Sequence, residues 1–137
     1  MGTINSINSV YEYFKNKKNG HISIVSSVAG YRGLPNAGAY CASKSALNSF
    51  TESLYFQLKD HNVRVSLICP GFIKTPMTDQ NEFPMPMIKS ADYAADKIYD
   101  GIVNKNIFEI HFPKSFTYLM KIIPVSYTHL RAHETEL

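Results

Sequence analysis

Tyr40 and Lys44 stand four residues apart, Ser27 lies thirteen residues upstream of the tyrosine, and Pro70-Gly71 follows downstream. Those residue types at those spacings make an acid–base centre. On a helix, a separation of four puts both side chains on one face, about one turn apart. A free phenol titrates near pH ~10 and is a poor proton carrier at neutral pH. A fixed ammonium beside it favours the phenolate, and a bound cationic ring would add to that effect. A serine hydroxyl within reach can hold a reacting oxygen against the phenol. A bare Tyr-x-x-x-Lys is common on exposed helical faces, so the elements around it decide what it means.

His21 to Val25 reads HISIV, an apolar β-branched run that predicts a buried strand. It ends in the small-residue turn Ser26-Ser27-Val28-Ala29-Gly30, where Ser26 reads as a turn residue only. A second loop, Gly33 to Gly38, leads into a helix from about Ala39 to Leu58 whose first turns carry Tyr40, Ala42, Lys44 and Ala46. Val63 to Cys69 is a second buried strand that stops at Pro70-Gly71. This order predicts a βαβ unit with its chemistry at the carboxyl ends of the strands.

Further elements surround that unit. Thr3 to Asn16 is an amphipathic helix with Ile4, Ile7, Val10, Tyr11 and Phe14 on one stripe. Asp92 to Val103 is a helix capped by Ser90, with Ala94, Ala95, Ile98 and Ile102 facing inward. Ile107 to His111 is a short last strand, and Ser115 to Ile122 a final apolar helix. The three strands are expected to run parallel in sequential order with right-handed crossovers. Ser27 and Tyr40 should then face one another across the carboxyl edge, with Lys44 beneath Tyr40.

With these motifs in this order, the chain resembles the short-chain dehydrogenase/reductase family. The family's segment reads G-x-I-x-x-x-S-S-x-A-G, then Y-x-A-S-K, then a strand ending P-G-x-x-x-T. Here those are Gly20 to Gly30, Tyr40-Cys41-Ala42-Ser43-Lys44, and Pro70-Gly71-Phe72-Ile73-Lys74-Thr75. The likeness runs from about Gly2 to the low 120s. It implies an α/β fold, a Rossmann-type doubly wound parallel sheet, of which this chain holds the C-terminal half: three strands with flanking helices. It also implies an NAD(P)-dependent oxidoreductase interconverting an alcohol and a carbonyl. Tyr40 would be the general acid/base, Ser27 would polarise the substrate oxygen, and Lys44 would lower the tyrosine pKa and bond the nicotinamide ribose. Pro70, Gly71, Ile73 and Thr75 would line the nicotinamide side. The resemblance leaves NAD or NADP open, and implies a small-molecule alcohol or carbonyl as substrate and a homo-oligomeric parent.

The sequence departs from the family pattern at both ends. The G-x-x-x-G-x-G turn that cradles dinucleotide phosphates is not in it, nor is the asparagine the family places ahead of the glycine aligned with Gly2. Residues 1–123 are therefore expected to be the C-terminal part of a family domain, beginning inside a helix and inactive alone. The alternative is a non-catalytic fragment or interaction module unable to bind a dinucleotide. Residues 124–137 read as a non-native tail: Val125 to Thr135, VSYTHLRAHET, has no apolar period and back-translates to a transposase-type sequencing adapter. His129-x-x-x-His133 within it has metal-ligand spacing without a third ligand, so no metal is expected.

At 137 residues, one domain is the prior. A net charge of +3, scattered along the chain, does not suit nucleic acid binding. Cys41 and Cys69 lack CxxC or framework spacing and read as free buried thiols of a reducing compartment, the cytoplasm. No stretch approaches the ~20 apolar residues that span a bilayer. In the loop Thr75 to Lys89, Met77, Phe83, Met85 and Met87 either cover an apolar substrate or pack the loop onto the body. Tyr31, Leu34 and Phe116 to Met120 are candidates for the same pocket. Phe116 to Ile123, FTYLMKII, alternatively meets a partner subunit or a membrane surface, although Lys121 alone does not support strong membrane binding.

Overall fold

The computed structural model describes residues 2–81 and 84–122. Its elements are α1 (Gly2–Lys17), β1 (Gly20–Val25), α2 (Gly38–Leu58), β2 (Val63–Pro70), α3 (Ala91–Tyr99), β3 (Glu109–Phe112) and a last helix, α4, over 114–122. Helix α2 runs on through a 3-10 turn to Asn62, whose left-handed φ of 56° ends the helical run. The Asn62 side chain then bonds the Lys18 carbonyl at 3.1 Å, tying the exits of α1 and α2 together.

The strands form one parallel sheet in the order β1-β2-β3. Ile22 pairs with Val65, Ile24 with Leu67, and Ile68 with Ile110. Parallel strands buried on both faces read as near-continuous apolar runs, and β2 is such a strand. Leu54 and Leu58 of α2, with Ile7 of α1, cluster on Ile22, Ile24, Val63 and Val65. Ala94, Tyr93 and Ile98 of α3 cluster on Ile68, Ile110 and Phe112. Side chains alternate along a strand, so Val65 and Ile68 point to opposite faces. Helices α2 and α3 therefore cover opposite faces, as a doubly wound sheet requires. With the strands side by side in sequential order, the two crossovers then have opposite hands. The expectation that both are right-handed fails for one of them.

Three further expectations need correction. Ala95 and Val10 are exposed, because Tyr93 takes the inward position on α3 and Ile7 carries the buried stripe of α1. The helix of α3 gives way to a π-helical turn, Asp100–Asn104. Strand β3 begins at Glu109 rather than Ile107, because the Ile107 amide bonds Gly101 and closes that turn before the chain can enter the ladder. The expected Ser90 cap is present, its side chain accepting from the Tyr93 amide at 3.2 Å. The tail 124–137, including His129 and His133, and Phe83 of the methionine-rich loop lie outside the described residues.

Candidate active site

The carboxyl end of β1 and the first turns of α2 meet at the predicted centre. Beyond Val25 the Ser26 amide still reaches across the sheet to the Ile68 carbonyl at 2.7 Å, so the serine turn starts from a fixed point. Ser27 is extended, with φ −166° and ψ 159°, and its Oγ accepts from the Ala29 amide at 3.1 Å, capping a 3-10 turn over Val28–Gly30. That cap uses the oxygen as acceptor and leaves the O–H free to donate.

Tyr40 sits in the first turn of α2 and is 47% exposed. One turn on, the Lys44 ammonium lies 5.7 Å from the centre of the Tyr40 ring and donates to the Val25 carbonyl at 3.3 Å. The helical spacing read from sequence thus becomes a contact between the two groups. Ser26, read as a turn residue, is 4% exposed and donates from Oγ to the Lys44 peptide carbonyl at 3.1 Å. Only its place beside Ser27 hinted at this.

Pro70 ends β2, and the Gly71 amide continues the ladder to the Phe112 carbonyl at 2.8 Å. A Cβ on Gly71 would stand 3.0 Å from Phe116 Cδ1 and 3.2 Å from Pro113 Cδ, so α4 and its leading turn cover that glycine closely. Ile73 makes an isolated bridge to Lys89 and packs against the Ile68 cluster. Thr75 is engaged with Thr78, whose hydroxyl accepts from the Thr75 amide at 2.8 Å. These four residues hold the exit of β2 and its loop, one strand over from Ser27. Among the loop methionines, Met77 and Met87 are exposed and Met85 is half-buried. Val28, Phe116 and Met120 pack together with Tyr31, Leu34 and Phe72 into an apolar cluster on the serine turn.

A second polar group was not legible in the sequence. Tyr31 donates its hydroxyl to Glu109 of β3, and Lys121 of α4 closes the same carboxylate at 2.7 Å. Burial opposes ionisation of Glu109, but the Lys121 and Tyr31 donors outweigh it and hold the carboxyl below its ordinary range. Burial and the Glu109 bond push the Tyr31 phenol up. Burial likewise pushes the Cys69 thiol up to about 11, and both cysteines are free and buried as expected. A cavity of about 350 Å³ opens here between α2 and β3, with Tyr31, Asn48, Leu67, Glu109 and Lys121 among its walls; Tyr40 and Lys44 do not line it. Among the described residues no group of three potential metal ligands comes together, and no helix is long and apolar enough to cross a membrane.

A family model described as "short chain dehydrogenase" matches residues 1–84. An "Uncharacterized oxidoreductase" of Myxococcus xanthus is 38% identical over 126 residues, covering 90% of this chain and 49% of that protein. The crystal structure of a short chain dehydrogenase from Burkholderia cenocepacia in complex with NADP superposes with a TM-score of 0.79 at 26% identity, covering 96% of this chain and 54% of its own. A short chain dehydrogenase/reductase from Burkholderia phymatum in complex with NAD shares the fold, with a TM-score of 0.69 at 24% identity over 99% of this chain and 55% of its own. The chain therefore spans about half the length of the Myxococcus relative and of these structures.

Proposed function

The chain belongs to the short-chain dehydrogenase/reductase family, and on that premise we propose that it carries the acid–base centre of an NAD(P)-dependent oxidoreductase interconverting an alcohol and a carbonyl. The Lys44 ammonium, 5.7 Å from the Tyr40 ring centre and bonded to the end of β1 that leads into Ser27, carries this assignment. Tyr40 gives its proton to the carbonyl oxygen during reduction, or takes one from the alcohol during oxidation. The free O–H of Ser27 bonds the same oxygen and holds it in line with the phenol. An ammonium has three N–H donors, and the bond to Val25 uses one, which leaves Lys44 able to hold sugar hydroxyls of a nicotinamide ribose. When bound, the dinucleotide supplies or accepts the hydride at the reacting carbon.

Pro70, Gly71, Ile73 and Thr75 form the opposite wall of that cofactor site. Either NAD or NADP suits these residues, since the groups that choose between them lie on the adenosine side. We take residues 1–123 as the C-terminal part of the catalytic domain and 124–137 as a non-native tail. The substrate is a small-molecule alcohol or carbonyl, and the cluster of Val28, Leu34, Phe72 and Phe116 packs α4 onto the serine turn. The two free buried thiols suit a reducing compartment such as the cytoplasm.

The test is steady-state reduction of a panel of ketones and aldehydes, with NADH and with NADPH, by the full-length enzyme bearing this segment. Tyr40→Phe should abolish turnover while the affinity for the dinucleotide stays close to that of the parent. A fully active Tyr40→Phe enzyme refutes the mechanism.

A further inference from the structure

Three groups around the serine turn converge on a single residue of α2. The Val25 carbonyl accepts from the Lys44 ammonium at 3.3 Å, and the Ser26 hydroxyl donates to the Lys44 peptide carbonyl at 3.1 Å. Gly30 closes in from the far end of the turn. A Cβ there would stand 2.9 Å from both the carbonyl carbon and the oxygen of Lys44, and 2.6 Å from Asn48 Nδ2. Two adjacent residues of β1's end therefore grip Lys44 at both extremities, the side-chain tip and the peptide group.

The Ser26 bond is well suited to set a helix in place. A peptide carbonyl has two lone pairs, so it can accept a hydroxyl without giving up its helical partner. Ser26 is 4% exposed, so water competes little for this hydroxyl, and a buried bond of this kind is costly to leave unmade. Its own amide is anchored to Ile68 of β2 at 2.7 Å, which makes it a rigid post rather than part of a mobile turn.

We propose that Ser26 is a positioning residue that registers Lys44 against the carboxyl end of β1. In the proposed oxidoreductase, on which the consequence for catalysis rests, it fixes the distance between the Lys44–Tyr40 pair and Ser27. Gly30 is the small residue that permits this approach, because any side chain there meets the Lys44 peptide.

Lysine acylation in this chain, with a limiting water-soluble activated ester and peptide mass spectrometry, tests the proposal without cofactor or turnover. Ser26→Ala should raise the Lys44 acylation rate at least threefold relative to Lys59 and Lys74 in the same molecules. Ser26→Thr, which keeps the hydroxyl, should hold the parental Lys44 rate. An unchanged Lys44 rate in Ser26→Ala overturns the proposal. So does a rise shared equally by all three lysines, since Ser26 would then support the fold in general, and so does a Thr variant that behaves like the Ala variant. An enzyme inactive toward every carbonyl tested would refute the proposed function and leave this result standing.

Discussion

The Tyr31 hydroxyl, in the turn that follows Ser27, is hydrogen-bonded to Glu109 at the start of β3, 78 residues further along the chain. Lys121 completes the group by pairing with the other carboxylate oxygen and lying 5.1 Å from the centre of the Tyr31 ring. The serine turn, the last strand and the last helix are therefore braced on one carboxylate. Perturbing Glu109 should be felt at the turn that holds Ser27 as well as in global stability.

The Glu109 carboxyl titrates below its ordinary value of 4.5. Since the folded pKa lies below the unfolded one, its stabilising effect is complete above about pH 4.5 and is lost as pH falls through the lower folded value. Glu109→Gln should cost about 1–3 kcal/mol at neutral pH, as expected for hydrogen bonds to a charged group. It should also flatten the acid limb of a urea-unfolding series run from pH 7 to pH 3. Parallel acid limbs for parent and variant would show that Glu109 is not the group responsible.

Burial, and then the nearby Lys121 and Lys114 ammoniums, hold the His111 imidazole below its usual 6.5, with Glu109 acting in the opposite sense. Lys114 donates to Nε2 at 2.9 Å, which leaves the proton on Nδ1 to bond Thr117 Oγ1 at 2.6 Å. A histidine kept neutral in the fold stabilises it above the unfolded pKa and ceases to do so as pH falls below that value. Stability should therefore decline as pH falls below about 6.5, with His21 contributing in the same direction. Nuclear magnetic resonance titration should find the His111 midpoint below that of a free imidazole. A midpoint at or above 6.5 would contradict the geometry.

Gly101 lies against Ile110, where a Cβ would come within 2.6 Å of Ile110 Cγ1 and 2.7 Å of Cδ1. Gly101→Ala should lower unfolding free energy by about 1–3 kcal/mol, the usual cost of overpacking. Ile110→Val removes the Cδ1 methyl and should recover part of that loss, giving a measurable coupling in a double-mutant cycle. Strict additivity of the two substitutions would mean that the contact is not the source of the strain.

In the full-length enzyme, Lys44→Ala should raise KM for the dinucleotide and lower kcat together, because in the proposed mechanism one ammonium serves both the phenol and the ribose. Tyr40→Phe should lower kcat alone. A loss on the order of 10²-fold or more in kcat is expected for either, in the range of general acid–base contributions. A Lys44→Ala enzyme with altered KM and unchanged kcat would separate Lys44 from the proton step.

The strands and the Tyr–Lys pair were legible because both follow short-range rules. HISIV and VRVSLIC announce strands by composition alone, and a spacing of four fixes a helical face. Strand β1 nonetheless buries only one face and leaves Ser23 and Val25 exposed, because no third layer covers its other side among the described residues. The hand of the second crossover was not legible, because it depends on whether Val65 or Ile68 faces the later helix, and β2 is apolar on both sides. The role of Ser26 was hidden by its neighbour, since two adjacent serines in a small-residue turn look interchangeable until one is seen to bond Lys44. Tyr31, Glu109 and Lys121 carry no local motif at all, so only folding brings them together.

Strand β2 has a hydrogen-bonded neighbour on each edge and a helical layer on each face, whereas β1 and β3 each have one edge unpaired among the described residues. No local fluctuation can expose the β2 amides without breaking both apolar clusters. In deuterated water its peptide N–H groups, Val65 to Ile68 above all, should be the last to exchange and should report the global opening free energy. Amides of the methionine-rich segment should exchange orders of magnitude sooner. Among the described residues the slowest clock therefore runs up to the threshold of Pro70 and Gly71, and a faster one begins just beyond it.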